Sequence, residues 1–179
     1  MTDFARRIIG AAKLDVAIYE EVEADPRATG QAMGVVLLAS IAAAIGSAGV
    51  GEGGAGTIII GGIGALGGWV IWAFMTYVIG TRLLPEPQTE ADTAQLMRTL
   101  GFAQAPGLAR VFVAAPLVGP LILVVVSLWM LVAMVIAVRQ ALDYRSTWRA
   151  VAVCVVGWII AIAIPAILIV ATGGPRPDL

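Results

Sequence analysis

The sequence predicts an all-α fold: a polytopic membrane helical bundle of five transmembrane helices, preceded by an amphipathic helix at the cytoplasmic interface. Of the 179 residues, 60% are hydrophobic and only 13% are charged, and the mean hydropathy is +0.95. Soluble domains average about 45–50% apolar and about 25% charged residues. A core of this size cannot hide such an apolar excess, because the surface must still be covered with polar groups. The composition therefore indicates a multi-spanning membrane protein.

Four long segments contain no charged residue, and they cover residues 28–51, 53–81, 111–138 and 150–175. A transmembrane helix needs about 20 apolar residues, so each segment can hold at least one span. The stretch between Arg98 and Arg110 is too short for a span alone. It adjoins the third charge-free segment, however, in which Pro116 and Pro120 indicate a turn. The pattern leaves a choice between four spans and five.

The distribution of Lys and Arg favours five spans, because cytoplasmic loops carry an excess of these residues. With five spans, ten of the eleven Lys and Arg residues lie on or next to one side of the membrane and one lies on the other side. With four spans, the division would be eight to three. The predicted spans are residues 29–50, 57–81, 99–118, 121–138 and 148–171, and the third could be complete or re-entrant. This arrangement places the N-terminus in the cytoplasm and the C-terminus outside a plasma or inner membrane. The predicted division is a cytoplasmic segment (1–27), a transmembrane domain (28–172) and a short exposed tail (173–179).

The first residues have the pattern of an amphipathic helix lying at the inner membrane surface. Apolar residues recur there at helical spacing, with most charged residues opposite: Phe4, Ile8, Ala12, Tyr19 and Val22. On one continuous helix, Asp15 would fall within the apolar face. Asp15 is therefore either a buried acid or the N-cap of a second short helix over residues 16–24.

Asp25 and Pro26 mark the start of the first span. An aspartate can accept hydrogen bonds from the free N–H groups of the next turn, and proline suits the first helical position. Thr29 and Gln31 follow at the level of the lipid headgroups. These four residues are candidates for a cytoplasmic functional motif, and the alternative is a simple helix start.

Glycines are concentrated at the beginning of the second span, where Gly64 and Gly68 form a small-xxx-small pair. Transmembrane helices associate through small residues that let their backbones approach closely. We therefore expect Gly64 and Gly68 to pack the second span against the first. A phosphate-binding loop is the alternative, but no Gly-Lys-Ser/Thr sequence follows.

Arg110 is the one ionisable residue near the middle of a predicted span. An arginine at this depth costs about 2.5–3.5 kcal/mol on insertion scales, so it normally faces the bundle interior or a water-filled cavity. Pro106 breaks the helix before it, and Trp129 lies at a similar depth and could supply an aromatic face. The alternative is that Arg110 extends to the cytoplasmic surface from a short or re-entrant third segment.

The composition also excludes several functions. The chain has no histidine and one cysteine, Cys154, so Ser-His-Asp and Cys-His catalysis, the usual zinc sites and an intrachain disulfide are not expected. The net charge of −1 argues against a nucleic-acid partner. We therefore predict no catalytic residue, cofactor or metal site.

Two local motifs resemble the bacterial branch of the Yip domain family, whose eukaryotic members are Ypt/Rab-interacting membrane proteins. They are residues 24–32 (ADPRATGQA) and residues 100–106 (LGFAQAP), in which Gly101, Phe102 and Pro106 are similar to a Gly-Tyr…Pro motif of the family. The stretch from Trp129 to residue 143, followed by a final apolar span, fits the same pattern. The resemblance implies a membrane-organising or trafficking adaptor, with Gln104 as a further motif residue.

The first functional hypothesis is therefore a non-enzymatic membrane organiser or adaptor that acts through its cytoplasmic motifs. The alternative is a small oligomeric transporter or channel in which Arg110 contacts an anionic solute. The expected partners are the lipid bilayer, a protein on the cytoplasmic side and a second copy of the chain.

Overall fold

The computed structural model describes residues 2–48 and 55–171, whose regular structure is entirely helical. The elements in chain order are α1 (Asp3–Ala12), α2 (Val16–Ala24), α3 (Ala28–Ala48), α4 (Ala55–Val78) with a π-helical extension (Ile79–Leu83), α5 (Thr93–Phe102), a 3-10 helix (Ala105–Ala114), α6 (Gly119–Ala141) and α7 (Thr147–Ala171). The end of the first predicted span and the predicted tail 173–179 lie outside the described residues.

Within residues 2–48 and 55–171, four helices are long and apolar enough to cross a membrane: Ala28–Ser47, Ile58–Leu83, Gly119–Ala141 and Thr147–Ile164. They correspond to the first, second, fourth and fifth predicted spans. The third predicted span, residues 99–118, is not among these long helices. It is interrupted as Pro106 predicts, because α5 ends at Phe102 and the 3-10 helix begins at Ala105. Pro106 lies in the first turn of the 3-10 helix. A proline there lacks an N–H and clashes with the preceding turn, so α5 cannot continue through it.

The broken segment formed by α5 and the 3-10 helix runs alongside α3. At one end, a Cβ placed on Gly101 would lie 2.6 Å from the Cβ of Ala32, and at the other Gly46 abuts the carbonyl of Arg110. Residues 32 and 46 are about 21 Å apart on an α-helix. The broken segment therefore follows α3 over most of its length and in the same direction.

Helices α4 and α6 finish at the same end of the bundle, which we call the basic end because Arg82, Arg139 and Arg145 lie there. The hydroxyl of Tyr144 donates to the carbonyls of Gly80 (2.9 Å) and Leu84 (2.7 Å). A 23-residue helix such as α6 is about 35 Å long. The chain that joins the end of α4 to the start of α6 must therefore pass from one end of the bundle to the other.

Helices α1 and α2 pack against the basic end and the adjoining side of the bundle. The prediction that Asp15 caps a short helix is confirmed, because its carboxylate accepts the N–H of Ala17 at 3.1 Å and α2 begins at Val16. The indole of Trp129 donates to the carbonyl of Ala12 at 2.8 Å. These contacts fix both ends of the turn between the two N-terminal helices.

Gly64 and Gly68, which the sequence predicts to pack the second span against the first, have open space at their Cβ positions. A Cβ on either glycine would have no described atom of another segment within 4 Å. Gly62 faces α3 instead, where its Cβ position lies 3.6 Å from Leu37 and 3.9 Å from Ser40. The spacing of small residues identified the glycine-rich helix but not its packing face.

This finding predicts that the exposed glycines tolerate larger side chains. We expect Gly64→Leu to leave the midpoint of thermal unfolding in detergent unchanged or raised, because leucine favours helix by about 1 kcal/mol over glycine. Gly62→Leu is the matched control on the same helix, and it should lower the midpoint by crowding Leu37. Equal losses in both variants would restore the packing role of Gly64.

Candidate functional site

The first group of functional candidates forms a polar network between the N-terminal helices and the start of α3. Arg7 is 8% exposed and donates to Glu21 at 2.8 Å, to Asp25 at 2.8 Å and to the amide oxygen of Gln31 at 2.9 Å. The guanidinium of Arg6 also donates to both carboxylate oxygens of Glu21. We call Arg7, Glu21, Asp25 and Gln31 the N-terminal network. It joins α1, α2 and α3 at one point.

A second arginine attaches α2 to the broken segment. Arg98 is 7% exposed, and its guanidinium donates to the backbone carbonyls of Val22 (3.1 Å) and Glu23 (2.9 Å). These carbonyls lie in the last turn of α2, where helical carbonyls lack partners within the helix. Arg98 thus supplies donors for two of the last carbonyls of α2 and holds this helix against α5.

The pKa values of the carboxyl groups in this region are shifted in opposite directions. Hydrogen bonds from Arg6 and Arg7 lower the pKa of Glu21 to about 2. The hydrogen bond from Arg7 likewise lowers the pKa of Asp25. Glu23 behaves differently, because burial, reinforced by the nearby charge of Asp143, raises its pKa to about 7. Glu23 is therefore a group at the basic end that titrates near neutral pH.

The raised pKa of Glu23 predicts that stability falls as pH rises. Between the ordinary carboxyl value near 4.5 and about 7, the folded chain keeps this proton while the unfolded chain has lost it, so unfolding releases a proton and stability declines across this window. We expect Glu23→Gln to match the wild type in thermal unfolding at pH 5 and to exceed it at pH 8. Glu20→Gln, on an exposed side chain, is the control. A Glu23→Gln variant that gains nothing at pH 8 would contradict the prediction.

The second group of candidates surrounds a cavity of about 680 Å³ inside the bundle. Helices α3, α4, α6 and α7 and the broken segment all contribute to its wall. The lining is mostly apolar or small: Val36, Ala39, Ala43, Ala44, Gly61, Ala65, Gly68, Trp69, Leu100, Met134 and Trp158. The polar lining residues are Ser40, Ser47, Trp72, Gln104 and Arg110.

Two N–H groups beside this cavity are buried without a hydrogen-bond acceptor among the described residues: Nε of Arg110 and Nε1 of Trp72. Most buried donors in proteins have a partner, so an unpaired one calls for an explanation. No described carboxylate lies within ion-pair distance of Arg110. Arg110 thus lines the cavity with one buried N–H that has no acceptor among the described residues.

The remaining motif residues lie in packing contacts or at the start of a helix. Gly101 allows α5 to approach Ala32, and Phe102 and Pro106 are fully buried. Asp25 and Pro26 form the turn before α3, in which Asp25 accepts the N–H of Arg27 at 2.9 Å. Thr29 is half-buried in the first turn of α3. The predicted residues thus separate into the N-terminal network, the cavity and the packing of the broken segment.

Sequence reasoning missed Arg7, Glu21 and Arg98 as site residues. The helical pattern predicts Arg7 and Glu21 only as charged residues opposite the apolar face, and Arg98 only as the residue before the third predicted span. Their partners lie 14 to 76 positions away in the chain, so no local spacing could indicate them. The one available signal was that two adjacent arginines precede a cluster of acidic residues before the first span.

Comparison with known proteins gives one family match. The family model of the Yip1 domain matches residues 17–168, from the first turn of α2 to the end of α7. No match was found among curated proteins, and none was found among solved structures. The matched residues include the whole wall of the cavity and every member of the N-terminal network except Arg7.

Proposed function

This chain belongs to the Yip1 domain family of non-enzymatic, multi-pass membrane proteins, and from that premise we propose that it is a membrane organiser or adaptor. Members of the family interact with membranes and with Rab proteins. The observation that carries the proposal is the N-terminal network, in which Arg7 ties α1 and α2 to the first span. Two helices held rigidly outside the apolar bundle present a fixed surface, and ordering them in advance reduces the entropic cost of binding.

The proposed orientation places the basic end in the cytoplasm, with the broken segment as a fifth crossing. Support comes from the connection between α4 and α6, which runs from one end of the bundle to the other, and from the excess of arginine at the basic end. The N-terminus then lies inside a plasma or inner membrane and the C-terminus outside. Such a crossing tolerates irregular backbone where neighbouring helices bury it, and its first residues, Ala105, Pro106 and Gly107, are buried.

Cysteine labelling in intact cells tests this orientation. With Cys154 replaced by alanine, Leu117→Cys should react with a membrane-impermeant maleimide from outside, because Leu117 is fully exposed at the end opposite the basic end. Glu90→Cys, in the exposed loop before α5, should be protected. A five-crossing chain puts these positions on opposite sides. Equal labelling of both would establish four crossings with a re-entrant third segment.

Photo-crosslinking tests the adaptor function. A photoreactive residue at position 16, where Val16 is 43% exposed, should capture a cytoplasmic protein in cells, and Arg7→Leu should abolish this crosslink by releasing α1. Arg6→Leu is the matched control and should preserve it. A photoreactive residue at Ile162, an exposed position on α7, reports background capture. If Arg7→Leu keeps the crosslink as Arg6→Leu does, the N-terminal network does not create the docking surface.

A small oligomeric transporter is the second candidate, and the cavity beside Arg110 favours it. An intramembrane cation facing a cavity is a common feature of substrate pathways. Against it, no described Asp or Glu lines the cavity to couple a proton or cation. We expect proteoliposomes of the wild-type chain to show no anion flux above empty vesicles. A flux that Arg110→Leu removes would overturn the adaptor in favour of the transporter.

A further inference from the structure

We infer that the cavity holds the anionic headgroup of an amphiphile: a phosphate or carboxylate carried on an apolar chain. This inference goes beyond the organiser or adaptor function, which needs no ligand inside the bundle. It rests on the size and chemistry of the cavity, on the unpaired donors of Arg110 and Trp72, and on the backbone geometry that places Gln104 on the same face as Arg110.

The dimensions of the cavity suit an organic ligand better than a hydrated inorganic ion. Its volume of about 680 Å³ lies in the range of about 300–1,000 Å³ that is typical of small-molecule sites. Such sites combine apolar walls with a few convergent polar groups. Here three tryptophans, Trp69, Trp72 and Trp158, provide much of the apolar wall. A purely ionic ligand would leave those aromatic faces without a partner.

Two of the five polar residues that line the cavity carry a donor that lacks an acceptor among the described residues. Nε of Arg110 and Nε1 of Trp72 have no described partner, whereas Ser40 and Ser47 already donate to carbonyls of their own helix. An anionic oxygen in the cavity would supply the charged partner that Arg110 lacks among the described residues. The planar guanidinium also binds phosphate or carboxylate through two parallel hydrogen bonds. The missing component is therefore an acceptor with negative charge.

The 3-10 geometry of the broken segment explains why Gln104 and Arg110 line one cavity. Gln104 is the N-cap of this helix and has helical backbone angles. With three residues per turn, side chains six positions apart lie on the same face. On an α-helix the same two residues would point about 120° apart. The amide of Gln104 thus adds hydrogen-bonding capacity on the same face as the cation only because the segment is not α-helical.

The glycine-rich face of α4 offers room for an apolar chain. Gly61 and Gly68 line the cavity, and a Cβ on either would meet no described atom of another segment within 4 Å. Trp158 lies on the same wall and remains 43% exposed. A ligand with its headgroup at Arg110 can therefore extend past α4 without displacing protein atoms. This space favours a lipid-like molecule over a free anion.

The test measures binding to the full chain purified in a neutral detergent, by native mass spectrometry and by thermal unfolding. The probes are dioleoyl phosphatidic acid, dioleoyl phosphatidylcholine and inorganic phosphate. We expect phosphatidic acid to bind at least tenfold more tightly than phosphatidylcholine and to raise the unfolding midpoint. Inorganic phosphate at the same concentration should have no effect. Equal effects of the two lipids, or full protection by inorganic phosphate alone, would overturn the inference.

Paired variants locate the binding site. Arg110→Leu should weaken phosphatidic acid binding at least tenfold, and Arg110→Lys should weaken it less because it keeps the charge. Arg82→Leu, which removes an exposed arginine outside the cavity, is the charge-matched control and should bind as the wild type does. If Arg82→Leu loses as much affinity as Arg110→Leu, the lipid binds by general surface charge and the cavity is not the site.

A steric variant keeps the inference testable if Arg110→Leu does not fold. Gly68→Leu fills the cavity while leaving Arg110 intact, and the open space at Gly68 lets the chain fold normally. We expect it to abolish phosphatidic acid binding with no loss of stability. Gly67→Leu is the matched control, because Gly67 is also open but does not line the cavity. Unchanged binding to Gly68→Leu would contradict a site at this position.

Discussion

Gly101→Ala is expected to lower the stability of the chain by about 1–3 kcal/mol, the usual loss when an atom is forced into a filled space. A Cβ at this position would lie 2.6 Å from the Cβ of Ala32, 3.1 Å from its Cα and 3.2 Å from its carbonyl carbon. Two of these three atoms belong to backbone that cannot rotate away. The broken segment would have to move off α3, and the midpoint of thermal unfolding in detergent should fall accordingly.

Two further variants separate this steric effect from a general loss of glycine. Gly67→Ala, at a position with open space, should be neutral or stabilising. Adding Ala32→Gly to Gly101→Ala removes the closest clash and should recover part of the lost stability, which two independent changes would not do. Simple additivity of the two substitutions would show that α5 and α3 do not meet where the structure places them.

Arg7→Leu should have the second large effect, a loss of about 2 kcal/mol together with release of the N-terminal helices. Removing one member of a fully buried ion pair costs about 3–5 kcal/mol. The loss of stability expected for Arg7→Leu is smaller, because the Glu21 and Asp25 side chains remain 34% and 29% exposed. Water can therefore partly replace the arginine. The readout is the unfolding midpoint, together with the rate at which a protease cleaves between α1 and α3.

The neighbouring arginine supplies the control. Arg6 also pairs with Glu21, but its side chain is 44% exposed, and exposed ion pairs contribute about 0–1 kcal/mol. Arg6→Leu should therefore leave both the unfolding midpoint and the proteolysis rate close to those of the wild type. If the two arginines proved equivalent, the burial of Arg7 would have no energetic consequence and the network would be an ordinary surface cluster.

Local patterns predicted the features that depend on neighbouring residues. The capping hydrogen bond that the Asp15 carboxylate accepts and the helix-breaking effect of Pro106 both act within one turn of the chain. The short helix α2 and the interruption of the third segment therefore followed from the sequence. Four of the five predicted spans correspond to long apolar helices, because the cost of a charge in lipid confines charges to the helix ends.

Contacts between distant segments could not be predicted in this way. The burial of Arg7 requires three helices to converge, and the spacing that identifies an amphipathic helix does not reveal what covers its polar side. Glycine spacing similarly marks α4 as a helix rich in small residues, while the choice of Gly62 over Gly64 as the contact depends on how α4 is rotated about its own axis.

By itself, the sequence determined that this protein is an apolar helical bundle, because hydropathy is summed along the chain and needs no partner. Only the tertiary structure decided the backbone geometry and the path of the third segment. Its 3-10 backbone and its path along α3 depend on the fit of Gly101 and Gly46 against neighbouring segments. That fit places Gln104 and Arg110 on one face of a shared cavity, an arrangement that an α-helical period would not produce.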